Sequence, residues 1–405
     1  MARGQGRSSG AARDGYRGPS APPVAAPTWK RRLYVDRPPD LAALAQDLAA
    51  AHVIAIDAEF VQVYRRAPGA PSHRLALLQF AVDNEYRASY VLDTLRLVSL
   101  EPLQASLADG NILKLFHGVS ADLRMLASRD LAVRHILDLE AVSRSVFGQR
   151  ESGLQSMLRR ACDVRLDKSL QRADWARRPL TPAMVAYAAR DAEMTYALYG
   201  WLAANYPWAV ALHEQPADEP PPGVAPWIVP FLDGGRGRVA EVALAEAGLA
   251  GNVPEQERAL RHALAALRHP GPRVRVFRLI ADLGLAGLAP ELRPYLDAPA
   301  SEERAGAVRT LGRLRDTAAQ ARIAQLLDDP VEDVRQAARI ALDFLGLTQT
   351  PAPVKRAMRH ESDGRGVWVV GGDEPPGEAE DDWRSALRAR FGVSPEAGED
   401  DESGE

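Results

Sequence analysis

One cysteine in 405 residues, Cys162, leaves no possibility of an intrachain disulfide framework and no cysteine cluster for zinc. Long apolar runs are missing too. None would span a bilayer, and no secretory apolar segment follows Met1. These lacks predict no membrane association and a cytoplasmic location. Neither sign of charge dominates, because the net charge is only −4. That value argues neither for nor against a nucleic-acid partner, since local distribution decides it. Apolar residues make up 46 %, ordinary for a globular chain, and the length allows two or three domains.

Composition divides the chain into five parts. Residues 1–31 are rich in Gly, Ser, Ala, Pro and Arg and predict a disordered basic arm. Residues 32–210 alternate short apolar runs with helical patterns. "VIAIDAEF" (53–60), "RLALLQFAV" (74–82), "SYVLD" (89–93) and "ILKLFHG" (112–118) have strand character. Helical patterns cover 120–128, 139–148, 152–161 and 181–206, the last with Thr181 as N-cap and Pro182 at the first helical position. Strands early and helices late predict a mixed sheet with flanking helices. Residues 211–236 form a linker by their Pro and Glu content.

Residues 237–347 repeat. Pro270, Pro299 and Pro330 each follow an apolar helix end and precede an Ala/Arg-rich helix, with a period of 29 to 31 residues. Such units stack into an all-α solenoid because none buries its apolar face alone. The pattern resembles short HEAT-like repeats. Residues 348–405 are an acidic, mostly disordered tail, with 12 acidic against 3 basic residues from Asp373 onward. Within it, "DDWRSALRARF" (381–391) has helical spacing and reads either as a frayed helix or as a docking segment.

Two carboxylates end the run "VIAIDAEF". In a strand, Asp57 and Glu59 point to the same face. Like charges that close repel unless a cation sits between them, and hard divalent cations take oxygen ligands. The pair reads either as half of a metal site or as two solvated acids at a strand edge. Farther on, "KLFHGVSADLRML" places Asp122 in a first helical turn, and "YAARDAEMTYALY" places Tyr187 and Asp191 on one helix face.

The ordered set Asp57-x-Glu59, Asp122, Tyr187-x-x-x-Asp191 resembles the tyrosine branch of the DEDD family of 3′–5′ exonucleases. Within that family, residues 166–199 and the stretch "DAEFVQVYRR…RLALLQFA" look most like ribonuclease D. The resemblance covers about residues 32–210 and implies a ribonuclease H-like α/β fold. It also implies two divalent metal ions, Mg²⁺ or Mn²⁺, held by Asp57, Glu59, Asp122 and Asp191. Tyr187 would orient the attacking water, and the product would be a nucleoside 5′-monophosphate. In two departures, Ala58 replaces the usual Thr, and HEAT-like repeats stand where the family's C-terminal helical module is expected. Ala58 should point away from the metals and change little.

Further candidates for nucleic-acid contact are Phe60, Gln79, His117, Lys168 and Arg172. Phe60 and His117 also fit core or hydrogen-bonded roles. Residues 150–178 carry eight Lys/Arg against four Asp/Glu around Trp175, the chemistry of a single-strand track if Trp175 is not simply core. In the solenoid, Arg278, Arg309 and Arg339 recur, which suggests a structural ladder rather than an RNA ridge. The functional expectation is a metal-dependent exoribonuclease trimming 3′ ends of tRNA or other structured RNA. The alternatives are the same chemistry on DNA, or an idle nuclease fold whose HEAT-like repeats bind a protein.

Overall fold

A computed structural model describes residues 21–63, 72–82, 87–167, 169–214, 223–232 and 239–346, and the backbone of 356–360 and 366–370. It falls into two units, Met1–Thr348 and Gln349–Glu405. In the first unit the strands are β1 (Arg31–Val35), β2 (Val53–Gln62), β3 (His73–Val82), β4 (Ala88–Asp93), β5 (Leu113–Phe116) and β6 (Ile136–Asp138). They form one mixed sheet in the order β1-β4-β3-β2-β5-β6. β3 runs antiparallel to β2 and β4, while β5 is parallel to β2 and β6.

Among the described residues, seven α-helices accompany this sheet. They are α1 (Pro38–Ala49), α2 (Gln104–Ala108), α3 (Ser120–Ala127), α4 (Leu139–Phe147), α5 (Leu154–Cys162), α6 (Pro182–Asn205) and α7 (Pro207–Glu214). Strand alternation sorts the core into two faces. Ile54, Ile56 and Ala58 of β2 pack with Leu41, Leu44 and Leu48 of α1. Ala55 packs on the opposite face with α4, α5 and α6. Ala58 is thus turned away from the α6 side, as its place between Asp57 and Glu59 requires.

β1 and α1 were not among the expected elements. Residues 21–30, expected to belong to a disordered arm, lie against the domain. The Val24 N–H donates to the Ala161 carbonyl, Trp201 Nε1 donates to the Pro22 carbonyl, and Trp29 packs edge-on against Tyr196. Residues 1–20 and the expected helix at 381–391 lie outside the described residues.

The second part of the unit is a helical array: α8 (Val229–Leu232), α9 (Ala240–Glu246), α10 (Val253–Ala266), α11 (Pro270–Asp282), α12 (Ala289–Leu292), α13 (Ser301–Arg313), α14 (Gln320–Gln325) and α15 (Glu332–Phe344). One apolar core runs from Val224 to Leu342. The linker is therefore shorter than its composition suggests: α7 packs with the sheet domain, and Val224, Trp227 and Ile228 already belong to the array. Helices α13 and α15 touch at Gly312, where a Cβ would lie 2.6 Å from that of Ala341.

An arginine ladder exists, but not at the expected residues. It consists of Arg273, Arg304 and Arg335, spaced at intervals of 31 residues. Each reaches back to a carbonyl at the same interval, of Leu267, Ala298 and Asp329. Each also bonds an acid, respectively Glu303, Asp329 and Glu332. Arg278 is instead 81 % exposed and only approaches Asp282 of its own helix at 3.6 Å. Arg339 bonds Glu332, and Arg309 is exposed. The repeat was legible, but which arginine turns inward depends on helix phase. In the second unit, Arg356–His360 and Gly366–Val370 pair as an antiparallel hairpin, where a mostly disordered tail was expected.

Arg304 and Asp329 are both nearly inaccessible, so removing one leaves the other charged and unpaired. Arg304→Ala should cost about 3–5 kcal/mol in urea unfolding. Arg278→Ala should stay within about 0.5 kcal/mol. Equal losses would show that the ladder does not hold the array together.

Candidate active site

β2 is a central strand of Val, Ile and Ala, buried by neighbours on both sides until it reaches Asp57. Its alternation turns Asp57 and Glu59 toward α6. Just past Glu59 the pairing with β3 slips by one residue, a bulge that interrupts the ladder at the end of the carboxylate pair. Helix α6 starts where the sequence predicts. Thr181 accepts from the Met184 N–H at 3.2 Å, and Pro182 fills the first turn. Tyr187 and Asp191, four residues apart, then share the face turned to β2.

One carboxylate oxygen each of Asp57, Glu59 and Asp191 lies within 4.8 Å of the others. They line a cleft of about 440 Å³ together with Tyr187; residues 153–156 at the start of α5, with Leu166 and Gln171, complete its walls. Asp122 arrives by a different route. β5 is parallel to β2, so the loop after it ends beside the end of β2 and delivers the first turn of α3. Asp122 is buried and its charge acts on Glu59, yet it stands outside the group of three. Among the described residues, no Lys or Arg forms an ion pair with any of the four acids.

Every one of these groups is held away from its charged form. Burial, then Asp57, Asp191 and Asp122, push Glu59 up to about 9. Burial and then Asp57 push Asp122 up to about 7. Asp57 and Asp191 are also raised, first by burial, and Asp191 next by Asp57. The Tyr187 hydroxyl donates to Asp191, and burial followed by the three nearby acids lifts the phenol above its ordinary range. Four acids that disfavour one another in a half-open cleft are a place for positive charge. Oxygen donors alone suit a hard divalent cation.

The other sequence candidates separate. Gln79 sits opposite Asp57 in the ladder but is wholly buried between β2 and β4, so the expected nucleotide contact is not available to it. Its amide has no hydrogen-bond partner among the described residues. Phe60 packs on the α1 side of the sheet and is not part of the cleft wall. His117 Nε2 donates to the Ser152 carbonyl at 3.0 Å, the hydrogen-bonded alternative for that residue. Arg172 is exposed beside Gln171 of the cleft wall, and Lys168 lies outside the described residues. Trp175 is core, its ring 6.0 Å from that of Tyr187. Sequence reading missed the wall at residues 153–156, which carries no acid, base or metal ligand to announce it. It also missed Arg178, which turns inward to pair with fully buried Asp93.

Comparison with known proteins bears on the same region. Residues 33–205 match the 3'-5' exonuclease family, and residues 288–367 match HEAT repeats. Ribonuclease D of Haemophilus influenzae is 30 % identical over 165 residues, 40 % of this chain and 39 % of the relative. Ribonuclease D of Escherichia coli is 33 % identical over 153 residues, 37 % of this chain and 38 % of the relative. The exosome complex component 10 homolog of Drosophila melanogaster is 32 % identical over 171 residues, 42 % of this chain and 18 % of the relative. The chain thus spans about two fifths of the length of the ribonuclease D relatives.

The raised carboxylates make a signed prediction. Between the ordinary carboxylate range and about pH 9 the folded protein holds more protons on Glu59 than the unfolded chain does. Stability without divalent cations should therefore fall as pH rises through that window. Asp57→Asn should raise the metal-free Tm at pH 8. Mn²⁺ at about one hundred times its Kd should raise the wild-type Tm at pH 8 by about 5–10 °C. The same Mn²⁺ should do much less for Asp57→Asn. An unchanged wild-type Tm with Mn²⁺ at pH 8 would mean that the acids hold no cation.

Proposed function

We propose that this chain, a ribonuclease D-like 3′–5′ exonuclease domain joined to HEAT repeats, hydrolyses RNA one nucleotide at a time from the 3′ end. The observation that carries the reading is the convergence of Asp57, Glu59 and Asp191 under Tyr187 in one cleft. A protein-binding scaffold has no use for four acids that raise one another's pKa.

Asp57 is the acid whose charge acts on Glu59, Asp122 and Asp191 alike, and it would be shared by two divalent cations, Mg²⁺ or Mn²⁺. Glu59 and Asp191 would complete the first position, and Asp122 would serve the second. When bound, the cations supply Lewis acidity that lowers the pKa of the attacking water and offsets charge on the departing 3′ oxygen. The protein's own part is orientation. Tyr187, with its phenol raised by burial and by Asp191, keeps its proton at neutral pH and acts as a hydrogen-bond donor rather than a base. Its hydroxyl, with its one proton given to Asp191, would align the attacking water by accepting a hydrogen bond from it. The walls at residues 153–156 and Gln171 take the terminal nucleotide, and exposed Arg172 meets a phosphate farther along the strand. The products are a nucleoside 5′-monophosphate and a shortened RNA with a free 3′-OH. Structured RNA with a single-stranded 3′ tail, tRNA precursors included, is the substrate class this reading favours. A protein partner of the HEAT array would direct such a nuclease to its RNA.

The test is a 5′-labelled RNA hairpin with a 3′ tail, beside its all-DNA equivalent, incubated with Mg²⁺ or Mn²⁺. Wild type should give a ladder shortening from the RNA 3′ end. Asp57→Ala should give none, and Tyr187→Phe should lower kcat by about 10²-fold. Equal trimming of DNA would make the enzyme a general exonuclease. No trimming of either strand by folded wild type would leave the scaffold reading.

A further inference from the structure

The turn that leaves α4 is gripped by the helical array. Gly148 has φ +83°, and a Cβ there would lie 2.6 Å from both Asp333 Oδ2 and Val331 Cγ1. Only glycine fits, because conformation and space both exclude a side chain. The Gln149 N–H donates to Asp333 Oδ2 at 2.7 Å. Arg150 Nε approaches Asp333 Oδ1 at 3.4 Å, and Arg150 Nη2 donates to Gln336 Oε1 at 2.6 Å. The preceding repeat holds the end of α4 in the same way. Ser301 Oγ donates to the Arg144 carbonyl at 2.9 Å, and Ser145 Oγ donates to Glu302 at 3.1 Å. Glu302 and Asp333 stand 31 residues apart, one repeat, so two successive helix starts meet one segment of the exonuclease domain.

That turn leads straight into the cleft. Ser152 Oγ donates to the Gln149 carbonyl at 3.1 Å, and the Ser152 carbonyl accepts from His117. Residues 153–156 then form the wall that faces the acids. Only Glu151 and Ser152 separate the gripped residues 148–150 from that wall. We propose that the HEAT array positions the α5 wall of the substrate cleft, with Asp333 as the positioning residue. Asp333 is not among the residues that line the cleft. It acts through Gln149 and Arg150, which set where α5 begins. This rests on the exonuclease reading for its substrate, but not for its mechanical part.

The distinction fixes the expected kinetics. The acids stand on β2, α3 and α6, so loosening the turn leaves them in place and displaces only the surface that receives the nucleotide. Asp333→Ala in the full chain should raise KM for tailed RNA about tenfold and leave kcat within about threefold, since a misplacement near 1 Å is costly in binding geometry. Amide hydrogen exchange at residues 148–156 should speed up, while the Mn²⁺-induced rise in Tm stays at its wild-type value. Asp333→Asn, whose amide oxygen still accepts from Gln149, should restore most of both. Arg150→Ala, a milder exposed change, should shift KM in the same direction. Arg278→Ala, elsewhere on the array, should shift nothing. Unchanged KM and unchanged exchange in folded Asp333→Ala and Arg150→Ala would overturn the proposal. A kcat loss with unchanged KM would overturn it as well. If wild type trims no nucleic acid, the exonuclease reading falls. Faster exchange in Asp333→Ala would then still support the array's hold on the cleft wall.

Discussion

The site depends on where α6 lies along the sheet, and one buried carboxylate sets that. Glu193 is almost inaccessible, yet it accepts two hydrogen bonds from Arg32 of β1, each 2.7 Å, and one from Ser89 Oγ at 2.7 Å. A helix advances about 1.5 Å and turns about 100° per residue, so a slip of one residue would carry Asp191 away from β2. A second tie fixes the approach to α6. Asp93 accepts from Tyr34 and Arg178, and Arg178 also donates to the carbonyls of Trp175 and Arg177. Tyr187 and Asp191 hang between these two anchors. Both carboxylates are buried, although Arg32 itself stays half exposed, and charge pairs set in this way contribute little net stability once desolvation is counted. Their effect here is to allow one register and no other.

That division explains what could be read in advance. Asp57 with Glu59, and Tyr187 with Asp191, follow from the periods of a strand and a helix, and those periods need no tertiary information. The Thr181 cap is equally local. The anchors are not. β1 begins in an arginine-rich stretch and is half exposed, so "RRLYV" looks like the end of a basic tail. Arg178 has the charge of a phosphate contact, and nothing in its neighbours reveals that Asp93 waits 85 positions earlier. Gln79 fails for the same reason. Its polarity suggests a surface role, while its place in a strand flanked on both sides buries it.

The helical array shows the same limit at larger scale. Its period was legible because prolines punctuate the ends of short helices. Its ladder was displaced from Arg278 and Arg309 to Arg273 and Arg304, because the inward face of a helix is settled by packing and not by composition. Both the Arg304–Asp329 pair and the acids of the cleft set charge where water is scarce. In the first case the countercharge is built into the chain. In the second, no Lys or Arg among the described residues forms an ion pair with the acids, and Arg190 acts on Asp191 only as the smallest of its influences; that difference separates a structural pair from an acid cluster suited to a cation.

The contact between Gln149 and Asp333 spans 184 positions of sequence, and this has a consequence in time. A ribosome adding about 5–20 residues per second needs about 10–40 s to travel from one to the other. Through that interval the sheet, α6 and the four acids can all assemble, while the turn before α5 still lacks the residue that fastens it. The nuclease fold is therefore complete before its cleft is braced. A newly made chain can carry its four acids in position well before it carries Asp333 and the rest of the array that grips residues 148–150.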